Sequence, residues 1–305
     1  MSKSNTYYYK VANHIFVVCD ERTAASEGLM SDNYTPFKIV QQSQPALTSG
    51  RAFTLHVVDE VEYDDFQQEV HQDDDGSEII VGTVLCSEKE GMRLPCFKFL
   101  LSGELAGVML TNADYTEGWL DSRHSLPSMF RFALDNALMV MYALSTATQM
   151  TALFHSSVIG CDGHAYMFLG KSGTGKSTHS RLWLKHIEGT ELMNDDNPVV
   201  RIEDGVATVY GSPWSGKTPC YRNVSAPLGA IVQLSQAPYN KIRPLKSILA
   251  YAALVPSISG KRWDKRIAEG LHQTENWLTE HARVFHLECL PDADAARVCY
   301  EGVKS

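Results

Sequence analysis

The sequence predicts an α/β protein in two parts: a β-rich region over residues 1–125, followed by a mixed-sheet α/β domain over 126–305. Three observations lead there. Short β-forming runs dominate the first part, the character changes at Pro127, and from there strand-like and helix-like segments alternate. A length of 305 residues suits about two domains and buries a sizeable core.

In the first part, Ile15–Cys19, Phe53–Val58, Ile79–Leu85, Cys96–Leu101 and Leu105–Leu110 are apolar or alternating runs of β-formers, and they predict strands. The acidic stretch Gln72–Asp75 before Gly76 lacks the ligand spacing and distal Glu of a calcium loop, so it reads as a solvated hairpin tip. The role of this region is left open by its residues.

Pro127 suits a first helical turn, and the apolar run from Met129 to Phe154 predicts a buried core helix. Ser145, Thr146, Thr148 and Gln149 interrupt it too often for a bilayer span. Ala165–Leu169 then reads as a strand and Ser177–Ile187 as a helix, with Leu182, Trp183 and Ile187 spaced for burial. A short strand ending in Asp195-Asp196 follows. Pro198–Ile202 and Val206–Tyr210 flank the turn Glu203-Asp204-Gly205, a hairpin pattern, and Leu228–Leu234 is a buried strand. Helices are expected at Leu245–Leu254, Trp263–His281 and Asp292–Tyr300, with a strand at Val284–Leu287. The basic run Lys261–Arg266 reads as the solvated start of the second of these helices, or as a place to receive an acidic acceptor.

Composition excludes several classes. A net charge of −9 provides no basic excess for neutralising nucleic-acid phosphates. Seven cysteines, an odd number with no C-x-x-C pair, argue for reduced thiols rather than a disulfide framework or a zinc site. The first residues lack the basic start and apolar run of a signal peptide. A cytoplasmic protein that binds neither nucleic acid nor membrane is expected; oligomeric state is left open.

The strongest motif is Gly170-Lys-Ser172-Gly173-Thr174-Gly175-Lys176-Ser177, a full match to G-x-x-x-x-G-K-[ST]. It lies between an apolar strand and a helical pattern, the context that a phosphate-binding P-loop requires. Glycines let successive N–H groups turn inward into an anion nest, and the helix that follows adds its N-terminal amides. ATP phosphates are therefore expected on Gly170, Ser172, Gly173, Thr174, Gly175, Lys176, Ser177 and Thr178, with Lys176 at the β/γ-phosphates and the Ser177 hydroxyl on Mg²⁺.

Phosphoryl transfer also needs a carboxylate for the metal and a group to take the acceptor's proton. Asp195 and Asp196, adjacent on a strand, would point to opposite faces and so could have different tasks. Asp-Asp-Asn-Pro is also turn chemistry in its own right. His155, at the end of the apolar run, is on spacing alone as readily a cap or a packed residue as a catalytic one. A second glycine- and proline-rich loop, Gly211–Asn223, carries Lys217 and Arg222, two cations suited to transition-state charge or an anionic acceptor. Arg181 could serve the same purpose or face solvent.

The pattern His155, Gly170–Ser177, Asp195-Asp196 resembles the catalytic domain of the HPr kinase/phosphorylase family, which groups with the phosphoenolpyruvate carboxykinases. The resemblance implies a mixed-sheet P-loop domain, with Asp195 as general base toward an acceptor hydroxyl, His155 beside it, and Asp196 with Ser177 on the metal. It does not extend to the N-terminal region or to a glycine-rich segment after the aspartates, and in this the chain looks more like the HPr kinase-like proteins of bacteria. The expected activity is a Mg-ATP-dependent kinase acting on a hydroxyl of a protein, peptide or small molecule. The alternatives are a carboxykinase-like enzyme, since the loop also resembles theirs, and a nucleotide-binding regulatory protein without turnover.

Overall fold

The computed structural model describes residues 5–23, 28–39, 50–74, 76–85, 91–121, 126–216 and 218–304. The chain divides into two compact units, Met1–Ser145 and Thr146–Ser305. The boundary expected after residue 125 and this division differ by one helix, Pro127–Thr146, nearly all of which belongs with the first unit. The architecture is mixed α/β, with a β-rich N-terminal unit.

The first unit is built on β1 (Asn5–Val11), β2 (His14–Asp20), β3 (Phe53–Val58), β4 (Asp64–Asp74), β5 (Ser77–Leu85), β6 (Arg93–Leu101), β7 (Glu104–Thr111), β8 (Glu117–Asp121) and the helix α1 (Pro127–Thr146). The strands form one sheet in the order β1-β2-β3-β8-β7-β6-β5-β4. Among the described residues, the β2–β3 and β3–β8 pairs are parallel and the other pairs antiparallel. The five predicted strands are all present; β1, β4 and β8 are additional. β4 carries the polar sequence DDFQQEVHQDD, whose composition hides a strand, and it pairs along β5 up to the hairpin tip. There the Asp73 carboxylate accepts from Gly76 N at 3.1 Å, while Asp75 lies outside the described residues.

An aromatic stack builds the core under α1: Phe16 and Phe53 are 5.1 Å apart on neighbouring strands, and Tyr142 of α1 meets Phe16 edge-on at 6.4 Å. The Tyr142 hydroxyl donates to Val11 O at 3.1 Å. Asp121 is wholly buried yet satisfied, accepting from Val108 N and Val61 N.

The second unit contains β9 (Thr151–Leu153), β10 (Ser156–Cys161), β11 (His164–Leu169), α2 (Lys176–His186), β12 (Glu191–Asp196), β13 (Val199–Glu203), β14 (Val206–Tyr210), β15 (Ser225–Gln236), β16 (Lys241–Leu245), α3 (Ile248–Leu254), α4 (Lys265–His281), β17 (Val284–Cys289) and α5 (Ala293–Lys304). Its sheet runs β12-β10-β11-β15-β14-β13-β9, with β17 beside β15 and β16 beside β17. β11–β15 and β15–β17 are the parallel pairs. Phe168, Trp183, Val232, Leu287 and Cys299 form the centre of the core under α2 and α5.

Two expectations are corrected. The predicted core helix does not reach Phe154: it ends at Thr146, the chain turns with Met150 at φ +50°, and Thr151–Leu153 becomes a strand paired with β13. Pairing with a partner distant in sequence overrides the local apolar pattern. The basic run before α4 is only partly solvated, since Lys261 is buried and Arg262 reaches the fully buried Glu275 at 2.7 Å. The helix begins after Asp264, whose carboxylate accepts from Arg266 N and Ile267 N. Six cysteines, Cys19, Cys96, Cys161, Cys220, Cys289 and Cys299, are free thiols; Cys86 lies outside the described residues. Among the described residues no helix is long and apolar enough to cross a membrane.

α1 approaches the sheet closely at Gly107, where a Cβ would lie 2.8 Å from Ala133 Cβ and 2.9 Å from Asp121 O. Gly107→Ala is expected to cost ~1–3 kcal/mol of stability, read as a lower urea midpoint at unchanged slope. An unchanged midpoint would contradict that contact.

Candidate functional site

The glycine-rich loop of residues 170–175 joins β11 to α2 and is shaped by its backbone. Gly173 and Gly175 hold φ of +77° and +108°, values that side chains disfavour, and Gly175 is the N-cap of α2. The loop is closed from within. Thr174 Oγ1 donates to Lys171 O at 2.7 Å, and the buried Lys176 side chain donates from Nζ to Gly170 O at 2.9 Å. The first turn of α2 contains no acidic residue, and its N-terminus faces the loop.

The acidic pair ends β12, which is held beside β10 with Ser157 opposite Asp195 and Ser156 opposite Asp196. The two carboxylates have different neighbours. Asp195 is buried, and its Oδ1 accepts from Ser177 Oγ at 3.0 Å. Asp196 is partly exposed, with Oδ1 3.3 Å from His155 Nε2 and Oδ2 accepting from Asn197 Nδ2 at 2.8 Å. Its φ of +144° is a backbone conformation that non-glycine residues rarely adopt, and such strain gathers at functional positions.

The second loop crosses behind this pair. Gly216 N and Ser215 Oγ donate to Asp195 O at 2.8 and 3.0 Å. Asn194, wholly buried, contacts Ser212 Oγ at 3.3 Å through Nδ2 and accepts from Asn197 N at 3.0 Å, so it stitches β12 to the loop. Lys217 lies outside the described residues.

The structure therefore brings Lys176, Ser177, Asp195, Asp196 and His155 into one linked set, with Gly170, Ser172, Gly173 and Thr174 in the loop beside them. Arg222 is placed differently. Its guanidinium donates to Leu192 O at 2.6 Å and Glu191 Oε2 at 2.7 Å, bracing the start of β12. Arg181 is exposed and reaches back to Thr178 Oγ1 at 3.2 Å.

Sequence reasoning missed a second part of the neighbourhood. A cavity of about 530 Å³ opens beside the loop, lined by Gly173–Gly175, Thr178, His179 and Leu182 on one side and by the ends of β15 and β17 with the residues that follow them on the other. His179 is buried two residues beyond Ser177, its Nε2 accepting from Trp183 Nε1 at 3.1 Å. The i, i+4 spacing of His179 and Trp183 was visible in the sequence; the strand ends facing them were not, because the parallel pairing of β15 with β17 brings them together.

Comparisons with known proteins add little. No family model and no curated protein matches the chain. Among solved structures, a similar chain is the Hpr(Ser) kinase/phosphatase from Coxiella burnetii, 11% identical with a TM-score of 0.30, covering 50% of this chain and 93% of that one. A likeness of that size carries no argument about activity, which has to come from the residues of the site.

Burial pushes the His179 pKa down from 6.5 to about 4. As pH falls from about 6.5 toward about 4, the unfolded chain gains a proton that the folded chain refuses, so stability falls with pH through that window. At about pH 5 the loss amounts to about 2 kcal/mol. Urea midpoints measured at neutral pH and about pH 5 are expected to differ less in His179→Gln than in the unsubstituted protein. An equal difference in both would show that His179 is protonated in the folded state.

Proposed function

We propose that the chain is a magnesium–ATP-dependent phosphotransferase that moves the γ-phosphoryl group of ATP to a hydroxyl of a protein, peptide or small molecule. One observation carries the reading. The hydroxyl at the end of the P-loop motif, Ser177, bonds Asp195 at 3.0 Å, immediately after the buried Lys176. This joins a phosphate cradle to a carboxylate pair, the two parts that phosphoryl transfer requires.

The loop amides and the α2 N-terminus would hold the phosphates, and Lys176 would exchange its bond to Gly170 O for a phosphate oxygen. The donors about Ser177 fit magnesium, being oxygens: the Ser177 hydroxyl and the Asp195 carboxylate. Bound there, the ion would offset charge on the phosphate oxygens.

The resemblance assigns the base to Asp195 and the metal to Asp196. The geometry favours the reverse order. Asp195 is buried against Ser177, whereas Asp196 is partly exposed beside His155, where an acceptor can reach it. Asp196 would take the proton of the acceptor hydroxyl as its oxygen bonds to the γ-phosphorus and the bond from that phosphorus to ADP breaks. His155 would hold the Asp196 carboxylate in position.

Incubation with γ-labelled ATP and fractionated cell extract tests both levels. Label is expected in a hydroxyl-bearing fraction. Asp196→Asn is expected to cut turnover by ~10²–10⁴-fold at an unchanged magnesium requirement. Asp195→Asn is expected to raise the magnesium concentration needed. The opposite pair of results would restore the order implied by the resemblance. ATP binding with no transfer to any fraction would replace the kinase by a nucleotide-binding regulator, and oxaloacetate-dependent turnover by a carboxykinase-like enzyme.

A further inference from the structure

The cavity beside the glycine-rich loop has a chemistry of its own. Leu182, Leu234, Ala237, Leu290 and Pro291 give it largely apolar walls, and it continues from Gly173–Gly175 past Thr178. Its volume of about 530 Å³ falls within the ~300–1,000 Å³ range of small-molecule sites.

His179 supplies the second observation. Its ring lines the cavity and is almost completely buried. The indole of Trp183 can only donate, so His179 Nε2, 3.1 Å away, must be the bare, accepting nitrogen. The ring proton is thereby fixed on Nδ1, and that atom is buried with no hydrogen-bond partner among the described residues. A buried donor without an acceptor is destabilising, and a ligand acceptor would satisfy it. The packing of Phe168 against the ring, with centroids 4.7 Å apart, limits its freedom to turn elsewhere.

We propose that this cavity is a nucleoside subsite: its apolar walls take the base of a nucleotide whose phosphates lie on the adjoining loop, and His179 Nδ1–H donates to an acceptor atom of the nucleoside. The proposal rests on the nucleotide reading of that loop and adds where the nucleoside is recognised. Phosphate binding alone would not discriminate a nucleotide from inorganic polyphosphate; the cavity supplies that discrimination.

Calorimetric titration of the full chain with ATP and with inorganic tripolyphosphate, each with magnesium, tests it. ATP is expected to bind at least about tenfold more tightly than tripolyphosphate. His179→Phe removes the donor, and Ala237→Trp fills the cavity from its partly exposed edge, leaving the buried ring untouched. Both are expected to bring ATP affinity down to that of tripolyphosphate, with tripolyphosphate affinity unchanged. Should His179→Phe fail to fold, Ala237→Trp decides alone. Equal binding of the two ligands by the unsubstituted protein, or an undiminished preference for ATP in Ala237→Trp, overturns the subsite while leaving the phosphate loop standing. Failure of both ligands to bind overturns the nucleotide reading and the subsite with it.

Discussion

The bond from Ser177 Oγ to Asp195 Oδ1 is the interaction on which the site depends. It joins the first turn of α2 to the end of β12, two elements that meet only because β10 lies between β11 and β12 in the sheet. A hydrogen bond to a carboxylate is worth about 1.5–3 kcal/mol, enough to fix which way Asp195 faces. With Asp195 committed to the loop, Asp196 turns to the other side and meets His155, at the cost of an unusual backbone conformation. The glycine loop and the acidic pair thus form one unit.

Rigid elements hold that unit. β12 is braced along one edge by β10, at its start by Arg222, and at its end by Asn194 and the second loop. Two donors from that loop converge on the Asp195 carbonyl, so even the backbone of the acidic pair is fixed from outside the strand. Arg222 and Asn194 therefore act as supports that hold the carboxylates in place.

Much of this arrangement is legible in the sequence, and the reasons for the gaps are physical. The loop and its helix are readable because Gly173 and Gly175 are demanded by backbone shape, and Lys176 and Ser177 complete the motif that ends in the first turn of the helix. Strand alternation suggests separate directions for Asp195 and Asp196, but the positive φ by which Asp196 departs from strand geometry was not readable. The strand β9 is hidden because Thr151–Leu153 continues an apolar helical pattern, and only pairing with β13 makes it extended. β4 is hidden by polar residues on a strand paired on one edge. The part played by Arg222 was not readable, since a cation in a glycine-rich loop suits an anion equally well until Glu191 is seen to hold it. The cavity was beyond reach for a similar reason: its walls come from segments more than fifty residues apart, joined by parallel strand pairing.

The central claim is that the loop closed by Lys176 receives nucleotide phosphates. Its most direct test is equilibrium binding of ATP, with and without magnesium, to the unsubstituted chain and to Lys176→Ala. Magnesium-dependent binding that Lys176→Ala loses, in a variant that remains folded, is the predicted result. No binding by the unsubstituted chain, or equal binding by the variant, would contradict the account.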